Sequence, residues 1–219
     1  MELRTRDGHK LRGYFGRLFQ ERSELLHNHM GNGEFRYAYP QVQYKVIGGT
    51  PMLVGISEGA DLLGDLFLKI KELDIGGQKY PVRQKNIEGK RIEVGVSESS
   101  QTYRFQTLWM ALNQQNHEQY EQADELERQH QLERILIGNC LSFCKGMDHF
   151  VEQQIQVKGT FSEKTTSFKN TRMLAFEGIF TTNCNSPITS GWAKPVSRGF
   201  GTIKRVSDQT FQVSQTWKV

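Results

Sequence analysis

The chain has 219 residues and a formal net charge of +4, from 28 Lys and Arg against 24 Asp and Glu, which is enough for one large domain or two small ones. Only 37% of residues are hydrophobic, but 13 Phe and 7 Tyr supply bulky core material, so a disordered tail is set aside. No apolar run approaches the ~20 residues of a membrane span, the first seven residues hold no apolar signal core, and three Cys are an odd count that argues against a disulfide framework and for the reducing cytoplasm.

Residues 2–5 are expected as a short strand. Leu11, Phe15, Leu18, Phe19 and Leu25 then recur at helical spacing and predict an amphipathic helix from Gly8 to Leu26, with Asp7 as its N-cap. Gly31-Asn32-Gly33 is a turn. Val42 to Ile47 and Met52 to Ile56 are strands of a hairpin with a slightly long loop, Gly48-Gly49-Thr50-Pro51. Leu62, Leu63, Leu66, Phe67 and Ile70 mark a second helix, Gly59 to Leu73, closed by Gly76-Gly77, and strands are expected near 78–86 and 90–98. Strand, helix, strand, strand, helix, strand is the ferredoxin-like βαββαβ order.

The second half repeats this order loosely. Tyr103, Phe105, Thr107 and Trp109 alternate as a strand. Residues 114–147 read as helix, and residues 155–161 and 173–180 as strands. A Gly/Pro/Asn-containing loop covers 183–201, followed by strands over 200–206 and 211–217. The charge is uneven along this chain. Residues 1–57 hold eight basic and five acidic side chains, residues 112–154 hold three and eight, and residues 155–219 hold nine and three. Two basic ends around an acidic helix point to a polyanion-binding face built from the ends, with the acidic block turned away from it.

Two stretches carry possible chemistry. His27-Asn28-His29 places two imidazoles at the end of the first helix, and imidazole is suited to proton transfer near neutrality. A polar helix C-terminus is the alternative reading of the same pair. In Lys194-Pro195-Val196-Ser197-Arg198-Gly199-Phe200-Gly201, the glycines allow close backbone approach to an anion. Lys194 and Arg198 add charge, Ser197 a donor, and Phe200 a stacking face for single-stranded RNA; an ordinary turn between strands is the plainer reading. Cys140 and Cys144 are expected as small apolar core residues. No metal-ligand spacing, P-loop or nucleophile-elbow string occurs, so no metal or cofactor is expected.

These residues together resemble the CRISPR-associated repeat-processing endoribonucleases of the RAMP superfamily, b-type subfamily. The resemblance rests on Leu11-Arg12-Gly13-Tyr14-Phe15, Leu26-His27-Asn28-His29, Tyr39-Pro40 with Val42 to Ile47, Val54 to Gly59, and the glycine-rich loop Ser197 to Gly201. It implies an α+β fold of two tandem ferredoxin-like domains with antiparallel sheets, residues 1–98 carrying the His pair and residues 99–219 the glycine-rich loop. It implies metal-independent cleavage of CRISPR repeat RNA to guide crRNAs by 2′-OH attack, with a non-catalytic RNA-binding subunit of a CRISPR effector complex as the alternative. On this resemblance His29, with His27, would move protons, Lys45 would meet phosphate charge and Tyr39 would position the scissile phosphate. Arg36, Lys194, Ser197, Arg198, Gly199, Phe200 and Gly201 would hold RNA. An effector complex and a homodimer are further partners, and no membrane is expected.

Overall fold

The computed structural model describes residues 3–18, 39–168, 171–186 and 196–206. The expected helix end at 19–26, His27, His29, Arg36, Lys194 and the expected strand 211–217 lie outside the described residues.

Residues 3 and 4 form no strand. Thr5–Asp7 is a single 3-10 turn that runs directly into α1 (Gly8–Leu18). Asp7 therefore ties this turn rather than capping α1. Its carboxylate accepts the Arg4 N–H at 3.0 Å and pairs with Lys10 at 2.8 Å. Leu11 and Phe15 face inward from α1. β1 (Val42–Ile47) and β2 (Thr50–Gly55) pair antiparallel, with Ile47 opposite Thr50. The connecting loop is only Gly48-Gly49, at φ +55° and +79°, the left-handed pair that a two-residue hairpin of matching twist requires. Thr50 and Pro51 belong to β2, so the loop is shorter than expected.

α2 (Glu58–Phe67) ends six residues before its expected end. Residues 72–75 instead form β3 (Glu72–Ile75), paired with β4 (Gln78–Pro81) around Gly76-Gly77, at φ +67° and +87°. The strand expected over 78–86 is cut to four residues, and the one expected near 90–98 begins only at Gly95. The β1–β2 and β3–β4 pairs are separate two-stranded sheets.

The second half is β5 (Gly95–Phe105), α3 (Gln114–Gln122), α4 (Glu125–Gly146), β6 (Val157–Phe168), β7 (Thr171–Asn185) and β8 (Ile203–Arg205). Its sheet order is β6-β7-β5-β8, with every neighbour antiparallel. Within this half that order is second, third, first, fourth, the ferredoxin-like arrangement. A 3-10 turn, Val196–Arg198, lies in the last connection. The helix expected over 114–147 is two helices. Asp124 interrupts it by accepting the Glu127 N–H at 2.8 Å while Glu127 reaches back to the Asp124 N–H at 3.1 Å, a capping box that starts a new helix. Arg128 closes the end of α3 through the carbonyls of Tyr120 and Glu121.

The molecule is thus α+β with antiparallel sheets and two main cores. One joins Leu11, Phe15, Tyr44, Val46, Leu66, Leu73 and Ile75 between α1, α2 and the first-half strands. The other packs Trp109, Leu136, Phe143, Phe176 and Phe180 between α4 and the large sheet. Trp109 is locked by reciprocal backbone bonds to Phe176 of 2.7 and 2.8 Å. Ile56, Val54 and Tyr39 of the first half pack into this second core, which joins the halves. Cys140, Cys144 and Cys184 are free thiols inside it, as the apolar reading of the first two predicts. No helix among the described residues is long and apolar enough to cross a membrane.

Candidate nucleic-acid interface

The glycine-rich loop folds back onto the first half of the chain. A Cβ on Gly8 would run into the Arg198 carbonyl and lie 2.8 Å from the Tyr44 carbonyl oxygen. A Cβ on Gly199 would lie 3.0 Å from the same Tyr44 oxygen and 3.1 Å from Lys45 Cα. The first residue of α1, the middle of β1 and the loop therefore touch backbone to backbone, a distance that only glycine tolerates. Gly199 and Gly201 also sit at φ +90° and +63°, and the Gly201 N–H donates to the Leu108 carbonyl at 2.9 Å.

Four hydrogen bonds around three hydroxyls fix the loop. Thr107 Oγ1 donates to the Gly199 carbonyl at 2.7 Å and accepts the Thr202 N–H at 2.9 Å. Thr202 Oγ1 donates to the Gly199 carbonyl at 3.2 Å. Arg12 Nη1, from α1, donates to Ser197 Oγ at 2.8 Å. The Arg198 guanidinium lies over the Phe168 ring, 5.2 Å from its centroid. Burial, and the Arg12 charge nearby, hold Arg198 below the usual arginine range. Arg12 and Arg198 thus bring two guanidinium charges to the loop.

The expected site residues divide. Ser197, Arg198, Gly199 and Gly201 stand together at this junction. Phe200 is buried at 1% exposure, its ring edge-on to Phe168 at 5.8 Å, so it is a core residue and offers no stacking face. Lys45 does not reach the surface where phosphate charge would meet it. It is fully buried, with Nζ bonded to Thr202 Oγ1 at 3.0 Å, and it has no exposed atom to offer a phosphate. Burial alone pulls its ammonium down to a pKa of about 7. Tyr39 is half-buried against the last turn of α4. Its ring meets Phe143 edge-on at 5.2 Å, its hydroxyl accepts from Gln43 Nε2 at 3.1 Å, and a Cβ on Gly146 would strike its side chain.

Arg12, Thr107 and Thr202 were absent from the expected set. Arg12 looked like one more polar-face residue of an amphipathic helix, and the threonines looked like ordinary strand residues. The acidic block lines a different place. A cleft of about 900 Å³ between α4 and residues 154–158 carries Glu127 and Glu133, the latter paired with Lys158 at 3.2 Å. The C-terminal turn of α4, with Lys145, is the end that reaches Tyr39. Among the described residues no three His, Cys, Asp or Glu side chains group as metal ligands.

Residues 1–93 match the Cas6b N-terminal domain family and residues 95–206 the Cas6b C-terminal domain family. A crystal structure of a Cas6b is 38% identical, with 94% of each chain covered and a TM-score of 0.87. A CRISPR RNA processing endoribonuclease Cas6b is 33% identical, again over 94% of each chain, with a TM-score of 0.70. An uncharacterized protein of Methanocaldococcus jannaschii is 34% identical over 67% of this chain and all of its own length.

Proposed function

The chain belongs to the Cas6b family, and on that basis we propose the chemistry and the residues with which it cuts CRISPR repeat RNA into guide crRNAs. It is a CRISPR RNA processing endoribonuclease. A ribose 2′-OH attacks the adjacent phosphorus. As the new O–P bond forms, the bond to the 5′-oxygen breaks, leaving a 2′,3′-cyclic phosphate and a 5′-OH, with no metal in the step. One proton leaves the 2′-OH and one arrives on the departing oxygen. His29, with His27, moves them, because imidazole holds and releases protons at working pH.

Tyr39 positions the scissile phosphate. Charge developing on the phosphorane is met by the arginines at the loop, Arg198 and Arg12, in place of the buried Lys45. Arg36, Lys194 and Ser197 hold the strand, with Gly199 and Gly201 shaping the loop that presents Ser197 and Arg198. The docking of the glycine-rich loop on β1 carries this reading, since it joins the two basic ends of the chain on the strand that shortly follows the His pair. The reading extends to the cytoplasm as the compartment, and to a CRISPR effector complex and a second copy of the chain as partners. Co-purification and sedimentation of the RNA-bound protein check those partners.

The deciding experiment incubates repeat RNA with the protein in EDTA, beside RNA carrying a single 2′-deoxy at the cut. Cleavage in EDTA, a cyclic phosphate end and a block by the deoxy substitution are expected. His29→Ala is expected to cut about 10²- to 10⁴-fold more slowly. Binding without cleavage would make the chain an RNA-holding subunit instead.

A further inference from the structure

Lys45 has three N–H donors and no atom in solvent, and among the described residues its ammonium meets one partner, Thr202 Oγ1 at 3.0 Å. A lysine buried in this way is costly unless a specific bond repays part of the loss. A methionine of similar length would fill the same space without a polar atom. Retaining an amine here therefore points to its one directional bond. That bond crosses from β1 of the first half to the residue directly after the glycine-rich loop. Thr202 has a single hydroxyl hydrogen. With Lys45 donating to the Thr202 oxygen, that hydrogen is left for the Gly199 carbonyl at 3.2 Å. Thr107 grips the same carbonyl at 2.7 Å and receives the Thr202 N–H at 2.9 Å. All three side chains are buried, so water does not substitute for a lost member.

We propose that Lys45 is a positioning residue that, through Thr202, holds the glycine-rich loop in its RNA-binding shape from the opposite half of the molecule. The inference rests on the reading that this loop holds RNA. It separates Lys45 from the chemistry: the amine touches neither phosphate nor ribose, and its effect appears in how well RNA is held.

The test uses the full chain and four variants: Lys45→Met, Thr202→Val, Thr202→Ser and the double variant Lys45→Met/Thr202→Val. Two readouts are taken, amide hydrogen exchange of residues 199–202 without RNA, and cleavage kinetics on repeat RNA. Lys45→Met and Thr202→Val are each expected to speed exchange at the loop and raise KM by about tenfold, with kcat within about twofold of the parent. Thr202→Ser, which keeps the hydroxyl, is expected to behave as the parent. The double variant is expected to be no worse than either single one, because both remove the same link. Unchanged exchange and KM in both single variants would make Lys45 an inert filler and overturn the proposal. A fall in kcat at constant KM for Lys45→Met alone would place the amine in the chemistry and overturn it equally. Should Lys45→Met fail to fold, Thr202→Val carries the same comparison with the lysine intact. If the parent neither binds nor cuts repeat RNA, the functional reading fails. The exchange data then decide the anchoring by themselves, with accelerated exchange at 199–202 supporting it and parent-like exchange refuting it.

Discussion

The two halves differ in the order of their elements and in how their strands are completed. In the second half, four strands join one sheet around Trp109, Phe176 and Phe180, with α4 laid across it. In the first half, β1–β2 and β3–β4 are separate pairs, and two-stranded ribbons are marginal by themselves. The first half makes up the difference by leaning on its neighbour. Ile56, Val54 and Tyr39 enter the second core, and Gly199 closes down on Tyr44 and Lys45. One half is a platform, and the other is completed by contact with it. The glycine-rich loop sits at that contact, so on the proposed reading RNA binding and inter-half packing share the same atoms.

The platform is the place to break this comparison hardest. Phe176→Ala is expected to cost about 3–5 kcal/mol, measured by urea denaturation, and to raise exchange in β1 and β2 along with β7. A first half that stays protected while β7 opens would show the halves to be independent. Gly8→Ala attacks the contact itself. The helix start has ordinary backbone angles, so the added Cβ acts by colliding with the carbonyls of Arg198 and Tyr44. A loss of about 1–3 kcal/mol and weaker repeat RNA binding are expected, with the Trp109 fluorescence environment preserved. Unaltered RNA affinity would detach the loop's docking from its function.

The pH dependence of stability is a finer test. Lys45 is held at about 7 in the folded protein against an ordinary 10.5. Between these values the unfolded chain binds the extra proton, so stability rises with pH from about 7 upward and is flat with respect to this group below 7. The slope has an upper limit of about 1.4 kcal/mol per pH unit. Lys45→Met is expected to flatten the urea midpoint between pH 7 and 9.5, below the range where tyrosines titrate. A parent-like slope in that variant would assign it to other groups. Asp124→Ala, at the helix break on the platform, is expected to cost only about 1 kcal/mol and to leave RNA binding unchanged.

The outline of this arrangement was legible where local chemistry decides it. Alternation and the paired glycines at 48–49 mark the first hairpin, and the order of elements marks the fold class. The misreadings have physical causes. Leu73 fits both a helical and an alternating pattern, so α2 absorbed β3, although Gly76-Gly77 is the same hairpin signal as Gly48-Gly49. The break before α4 has neither Gly nor Pro, and its signal was Asp124 three residues ahead of Glu127. Lys45 was the least readable. Residues 42–46 are all buried, because α1 covers part of β1 and a loop from far along the chain covers the rest. Period-two reasoning cannot place a strand that has no solvent face. Phe200 misled for a related reason: an aromatic beside glycines looks like a stacking platform until a long hairpin, ending in Phe168, covers it.

The contact of Gly199 with Tyr44 and Lys45 also sets a clock. Roughly 150 residues separate its two sides, and at about 5–20 residues per second of synthesis β1 waits about 8 to 30 s for the loop that covers it. During that interval a lysine destined for the interior, and the Tyr44 carbonyl beside it, lack the loop that covers them. The first half is thus made early and finished late, and slow synthesis between residues 50 and 195 lengthens the time its unfinished face is available to other chains.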